Sequence, residues 1–336
     1  MSDSMPTPEV FFDLALAFER TAALKAAVEL ELFTAIAEGA TAVEAMAKRC
    51  AASERGTRIL CDFLTINGLL AKEGGRYRLT PTAAMFLTKA SPAYLGGTLK
   101  FLASGNVMRN FDRLADTVRR GTVSQDGNMV AGEEQELWVN FAKAMVPMMM
   151  PAAMGIADLL QVASAGPLRV LDIAAGHGMF GITLAERNTR VEVTAVDWPG
   201  VLTVASENAK RAGVADRYRL LLGDAFAVEY GEGYDLALLT NFLHHFDVPT
   251  CTSLLRKVGR ALKPRGRVAI LEFVPNDDRV SPPIPAGFSL MMLAGTPGGD
   301  AYTLGELRAM AEDAGFERVA AHSLPTPETV VVATRR

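Results

Sequence analysis

RVLDIAAGHGMFG, residues Arg169 to Gly181, is the stretch on which the reading of this chain turns. Val170, Leu171 and Ile173 form a short apolar run carrying Asp172. Small residues follow at Ala174, Ala175, Gly176 and Gly178, and helical spacing begins beyond them. The pattern predicts a strand, a tight turn and a helix. Missing side chains let a ligand lie against the backbone, and N–H groups at the helix start can hold an anionic group. Gly176, Gly178 and Gly181 also satisfy the dinucleotide fingerprint, so the loop alone leaves its ligand open.

Outward from this loop, strand and helix alternate. Strands are expected at 169–173, 191–196, 218–222, 236–240 and 268–273, with helices running to Arg187, over 201–212 and over 250–262. Such alternation predicts an α/β fold with a doubly wound, mostly parallel, Rossmann-like sheet, whose ligands sit outside the carboxyl ends of the strands. The strand-end residues are Asp172, Asp197, Asp224, the pair His244 and His245, and Glu272.

Upstream, apolar residues from Phe11 to Ile36 recur at spacings of three and four, as in amphipathic helices. Helices capped at Thr41 and Ser53 are followed by a hairpin turning at Gly74-Gly75, which together read as a winged helix. Arg55, Arg58, Lys72, Arg76 and Arg78 invite a DNA-binding reading, but Glu54, Asp62 and Glu73 interrupt the patch, and a nucleic-acid footprint should be a coherent stripe. Dimerisation and enclosure of a substrate fit better. Residues 91–135 read as a helical pair and a loop, and from Glu133 a methionine-rich helix runs to Leu160. The expected domains are therefore 1–90, 91–165 (a linker and enclosing segment) and 166–336.

With 336 residues, 49% of them hydrophobic, the chain can bury two cores. A net charge of −4 gives no general attraction to nucleic acid or anionic membrane. Cys50, Cys61 and Cys251 form no CxxC pair and there are only four histidines, so neither a disulfide framework nor a metal site is expected, and a cytoplasmic location fits. Charges throughout the first thirty residues exclude a signal-peptide centre. The uncharged run Met145 to Ala157 is too short to cross a membrane.

The strand-end residues carry the chemistry. Asp197 lies nineteen positions beyond Gly178, where a carboxylate can accept from ribose hydroxyls. Gly223, Asp224, Ala225 and Phe226 add a carboxylate for an adenine amino group and a ring to pack on the base. Carboxylates ringing the site repel a pyrophosphate but suit the ammonium and sulfonium of S-adenosylmethionine (SAM), leaving loop N–H groups for its carboxylate. Histidine can take a proton from a phenol-like hydroxyl as it attacks a methyl group, and Glu272, ending the neighbouring strand, can orient the ring.

These motifs, with RGTRILCDFLTINGLLAKEGGRYRLTPTA, AVDWPGV, NFLHHFD, ALKPRGRVAILEFVP and MLAGTPGGDAYTLGELRAMAEDAGF, resemble the small-molecule O-methyltransferases that carry an N-terminal winged-helix dimerisation domain. The resemblance spans nearly the whole chain. It implies a cytoplasmic homodimer that moves a methyl group from SAM to a hydroxyl of a small, largely apolar molecule, releasing S-adenosylhomocysteine. It also implies Asp172, Ala174, Gly176, Gly178, Asp197, Trp198, Gly223, Asp224, Ala225, Phe226 and Asn241 as cofactor residues, and His245 as general base held by Glu272. Phe141, Met145, Met149, His244, Met292 and Thr296 would line the acceptor pocket. Ala174 departs from the family's glycine, Asn241 from a frequent lysine, and Ala301 from a second glutamate. The alternatives are N- or C-methylation, a SAM-binding protein that no longer transfers methyl, a winged-helix regulator and a nicotinamide dehydrogenase.

Overall fold

The computed structural model describes residues 6–130 and 136–336, and the expected helix start at Glu133 lies outside them. The chain divides into two compact units, Met1–Ala103 and Ser104–Arg336.

The first unit is helical, with one hairpin. Its helices are α1 (Glu9–Ala15), α2 (Ala17–Glu29), α3 (Leu32–Ala37), α4 (Val43–Arg49), α5 (Glu54–Ile66), α6 (Pro81–Phe86) and α7 (Leu99–Leu102), and β1 (Leu70–Glu73) pairs antiparallel with β2 (Arg76–Leu79). Ser53 caps α5 by accepting from Gly56 N–H. Leu32, Phe33, Met46, Leu64 and Tyr77 fill the core. Asp62 on α5 ties the hairpin to the helix, accepting from Tyr77 OH and Lys72 Nζ, each at 2.6 Å. Arg58, Lys72 and Arg78 all pair with carboxylates of the same unit, which neutralises most of the basic patch. By contrast α1 buries nothing, and Val10, Phe11 and Leu14 are each about two-thirds or more exposed.

The second unit begins with α8 (Gly105–Asp112), α9 (Leu114–Arg120) and the long α10 (Glu136–Leu159), which continues through Pro147 and Pro151. A seven-stranded sheet follows. Its strands are β3 (Leu168–Ile173), β4 (Val191–Asp197), β5 (Tyr218–Leu222), β6 (Tyr234–Thr240), β7 (Leu262–Glu272), β8 (Phe316–Ser323) and β9 (Thr329–Arg335), in the order β5-β4-β3-β6-β7-β9-β8. The pairs from β5 to β7 are parallel, and β9 runs antiparallel to both its neighbours. The connecting helices are α11 (Met179–Arg187), α12 (Pro199–Arg211), α13 (Val248–Ala261), α14 (Pro283–Gly295) and α15 (Leu304–Asp313).

Strand alternation sorts the core into two faces. Val170, Val193 and Leu236 meet Ile156 of α10, Ile182 and Leu184 of α11 and Leu202 of α12. Leu171, Ala237 and Ile270 meet Leu254 and Leu255 of α13 and Leu307 of α15. Because β3 connects to β4 on one side and lies beside β6 on the other, the strand order reverses between β3 and β6. The ligand crevice of such a sheet opens there, beyond the carboxyl ends.

Candidate active site

Both strands flanking the reversal end in a left-handed residue. Ala174 follows β3 and Asn241 follows β6, each with φ 53°. Asparagine tolerates this conformation, whereas alanine pays for it. Gly176 and Gly178 are also left-handed. A Cβ on Gly178 would stand 2.6 Å from the Tyr218 hydroxyl, so the loop is pressed onto β5.

Three of the loop's N–H groups are already bonded within the domain, at Ala175, Gly176 and Gly178. Ala175 N–H bonds Val196 O, Gly176 N–H bonds Asp197 Oδ2 at 2.8 Å, and Gly178 N–H bonds Ala175 O. At the start of α11, Met179 N–H is taken by His177 Nδ1 and Gly181 N–H by Asp172 Oδ2. A pyrophosphate would have to displace these acceptors, two of which are carboxylates. Among the described residues Asp172 Oδ1 and Asn241 Oδ1 are buried acceptors without a donor, and the Tyr218 hydroxyl beside the loop is also unpaired. Unmet acceptors on both sides of the crevice fit a cationic ligand, which is what the ammonium and sulfonium of SAM require. Burial raises Asp172 to about 8 and Asp197 to about 6.

Asp197 does more than the sequence suggested. Its second oxygen accepts from Trp198 N–H at 2.7 Å, so the carboxylate organises the loop and the start of α12 while keeping a lone pair on each oxygen. Trp198 caps α12 and packs beside Val201, Ala142 and Trp138. Asp224 accepts from Phe226 N–H, and Gly223 sits at φ 143°, closed to other residues. Sequence reading missed Lys257. From mid-α13 its Nζ donates to Ala225 O (3.1 Å) and Phe226 O (2.8 Å), clamping the loop that carries the expected adenine contacts. It also missed His177, whose ring stacks on Phe180 and is lowered to about 4 by burial, leaving it neutral.

Beyond β6 the chain makes a one-turn 3₁₀ helix, Leu243–His245. Consecutive side chains there lie about a third of a turn apart, so only one of two adjacent histidines can turn its Nδ1 to the carboxylate that ends β7. Glu272 was expected to hold His245, and the structure corrects this: its Oε2 lies 2.5 Å from Nδ1 of His244. Oε1 of the same carboxylate accepts from the N–H groups of Phe242 (3.1 Å) and His244 (3.3 Å), fixing the turn to the end of β7. His244 and Glu272 are both buried. A carboxylate can only accept, so the imidazole proton is on Nδ1 and Nε2 carries a free lone pair. His245, half-buried, turns its Nδ1 to Phe242 O at 3.2 Å, and burial, reinforced by His244, holds its pKa well below the usual range.

The turn is braced from the far side. A Cβ on Gly299 would stand 2.1 Å from His244 O and 2.6 Å from Thr296 Oγ1, so only glycine allows this approach. Thr296 donates to Met292 O and accepts from Gly299 N–H, which commits its hydroxyl to the brace. Met145 and Met149 are buried in the α10 core with Phe141 packed against them, and Met149 Sδ accepts from Asn241 Nδ2. Met292 is buried on α14. Ala301 is fully buried, and Asp300 turns to Arg279, so neither reaches the histidines as a second carboxylate.

A reversed strand beside the sheet edge, acceptors at the strand reversal and a carboxylate-held histidine define a methyltransferase of the Rossmann-like class. Residues 12–89 match the O-methyltransferase dimerisation domain and residues 133–317 the O-methyltransferase domain, and the chain belongs to that O-methyltransferase family. It is 31% identical to the 3-hydroxy-5-methyl-1-naphthoate 3-O-methyltransferase of Streptomyces sahachiroi, covering 93% of this chain and 90% of that one. A crystal structure of a Nostoc punctiforme protein assigned to the O-methyltransferases superposes with a TM-score of 0.94 at 48% identity, covering 99% and 100% of the two chains. Human N-acetylserotonin methyltransferase, solved with SAM, gives a TM-score of 0.86 at 25% identity, covering 100% and 99%. The chain is thus an O-methyltransferase, and not the dehydrogenase that the glycines alone allowed.

Proposed function

We propose that His244, oriented by Glu272, is the general base for methylation of a hydroxyl on a small, largely apolar aromatic molecule. The observation that carries this is the 2.5 Å contact between Glu272 Oε2 and His244 Nδ1, which leaves Nε2 as the basic atom. SAM supplies a methyl carbon on positively charged sulfur and leaves as S-adenosylhomocysteine. Asp172, Asn241 and the Ala174 to Gly178 loop would hold its methionine end. Asp197 would take the ribose, and Asp224 with Phe226 the adenine. The acceptor hydroxyl passes its proton to Nε2 of His244 as the oxygen bonds to carbon, and the electron pair of the broken C–S bond stays on sulfur. Holding oxygen and methyl in near-attack geometry contributes roughly 7–11 kcal/mol to such a step.

Phe141, Met145, Met149 and Met292 give the pocket an adaptable apolar lining, in keeping with the naphthoate acceptor in the name of the Streptomyces relative. We assign residues 1–90 to a homodimer interface and 166–336 to catalysis, with 91–165 enclosing the substrate. The match to a dimerisation domain and the uncovered apolar face of α1 support the first, and the packing of α8 and α9 on α14 supports the last. Buried free thiols at Cys50, Cys61 and Cys251 suit a reducing cytoplasm. Incubation with SAM and a panel of naphthols tests the reading. S-adenosylhomocysteine should form with a methyl ether. Methyl on ring carbon or nitrogen, or no product from any member, would refute it.

A further inference from the structure

Two consecutive histidines lie side by side beyond β6, with ring centroids 4.2 Å apart and planes tilted by 40°. Each turns Nδ1 to an oxygen that can only accept, Glu272 Oε2 for His244 and the Phe242 carbonyl for His245. Both protons therefore sit on Nδ1, and both Nε2 atoms are acceptors. Among the described residues neither Nε2 has a hydrogen-bond partner, and neither is among the sealed, unpaired atoms of the interior. The surroundings are flat and aromatic. Trp138 meets His245 edge to face at 5.5 Å, Phe288 meets His244 at 4.9 Å, and Phe242 and Phe246 lie alongside.

We propose that the acceptor is an aromatic ring bearing two adjacent hydrogen-bond donors, vicinal hydroxyls or a hydroxyl beside an amino group, and that His245 binds the donor next to the one His244 deprotonates. This rests on the reading of His244 as base. One hydroxyl loses its proton to His244 Nε2, gains the methyl carbon and becomes an ether, while its neighbour keeps its proton and donates it to His245 Nε2. A ring with a carboxylate beside the reacting hydroxyl would instead set negative charge against two lone pairs and the buried Glu272. The pairing also stops the reaction at one methyl group, because a methoxy group turned toward His245 offers no donor.

The test is calorimetric binding to the full-length enzyme loaded with S-adenosylhomocysteine, which needs no turnover. The probes are 2,3-dihydroxynaphthalene, 2-naphthol and 3-methoxy-2-naphthol. The diol should bind about tenfold more tightly than either single-donor probe, the gain expected of one added hydrogen bond to a neutral acceptor. In His245→Phe that ratio should fall below about threefold, and His245→Gln, whose amide oxygen still accepts, should retain part of it. With SAM present the diol should yield only the monoether. Equal affinities in the wild type, no binding of the diol, an unchanged ratio in His245→Phe or a diether product would overturn the proposal. His244→Gln separates it from the underlying reading. Undiminished turnover in that variant refutes the base assignment, whereas the binding ratio refutes or supports the role of His245 alone.

Discussion

Replacing Glu272 by Gln changes one atom and should disable the base. The carboxylate accepts three bonds, from Phe242 N–H, His244 N–H and His244 Nδ1–H. An amide in its place has one oxygen and one NH₂ to distribute. If the NH₂ faced the two backbone groups, two buried donors would be left unmet, at about 1–3 kcal/mol each. If it faces Nδ1, the backbone bonds survive and only the imidazole must adapt, by moving its proton to Nε2. The second arrangement is cheaper, by roughly the cost of the two unmet donors less that of the tautomer change, and it removes the lone pair from the acceptor side. Turnover should then fall by about 10²–10⁴, equivalent to about 3–5 kcal/mol of barrier. The assay is S-adenosylhomocysteine release at saturating SAM and acceptor, with S-adenosylhomocysteine affinity measured in parallel and expected to be unchanged. A folded Glu272→Gln enzyme turning over within threefold of wild type would refute the reasoning.

Other substitutions probe the scaffold. Ala174→Gly relieves a left-handed alanine and should raise the unfolding free energy by about 1 kcal/mol in urea titration, where no gain would mean the loop is unstrained. Gly299→Ala drives a methyl group into His244 O, so stability should drop by about 3 kcal/mol and turnover with it, and a wild-type urea midpoint and rate would contradict the brace. Asp172 is raised by burial to about 8, so the folded state binds this proton more tightly than the unfolded chain, and stability is lost as pH rises from about 4 toward 8. Asp172→Asn cannot ionise. Its stability relative to wild type, without cofactor, should therefore improve between pH 5 and pH 8, and a difference independent of pH would count against the burial argument.

Much of this was legible in the sequence because its signals are local. The run from Val170 to Gly181 carries its own strand, turn and helix periods, and Asp197 and Asp224 follow from strand ends. The loop's internal bonding was not legible: that Gly176 N–H would be spent on Asp197, twenty-one residues on, depends on how β3 and β4 pair. The choice between His244 and His245 depends on the phase of one 3₁₀ turn, which adjacent identical residues cannot reveal. Lys257 sits within an amphipathic helix, and its partners Ala225 and Phe226 lie about thirty residues away with no pattern linking them. The need for glycine at 299 is the backbone of the histidine turn beneath it, a contact across more than fifty residues that no local pattern announces.

The assignment of the base is most directly tested by measuring kcat for His244→Gln and His245→Gln side by side at saturating SAM and acceptor. The geometry predicts a loss of about 10²–10⁴ for His244→Gln and less than about tenfold for His245→Gln. A His245→Gln enzyme as impaired as, or more impaired than, His244→Gln would contradict it.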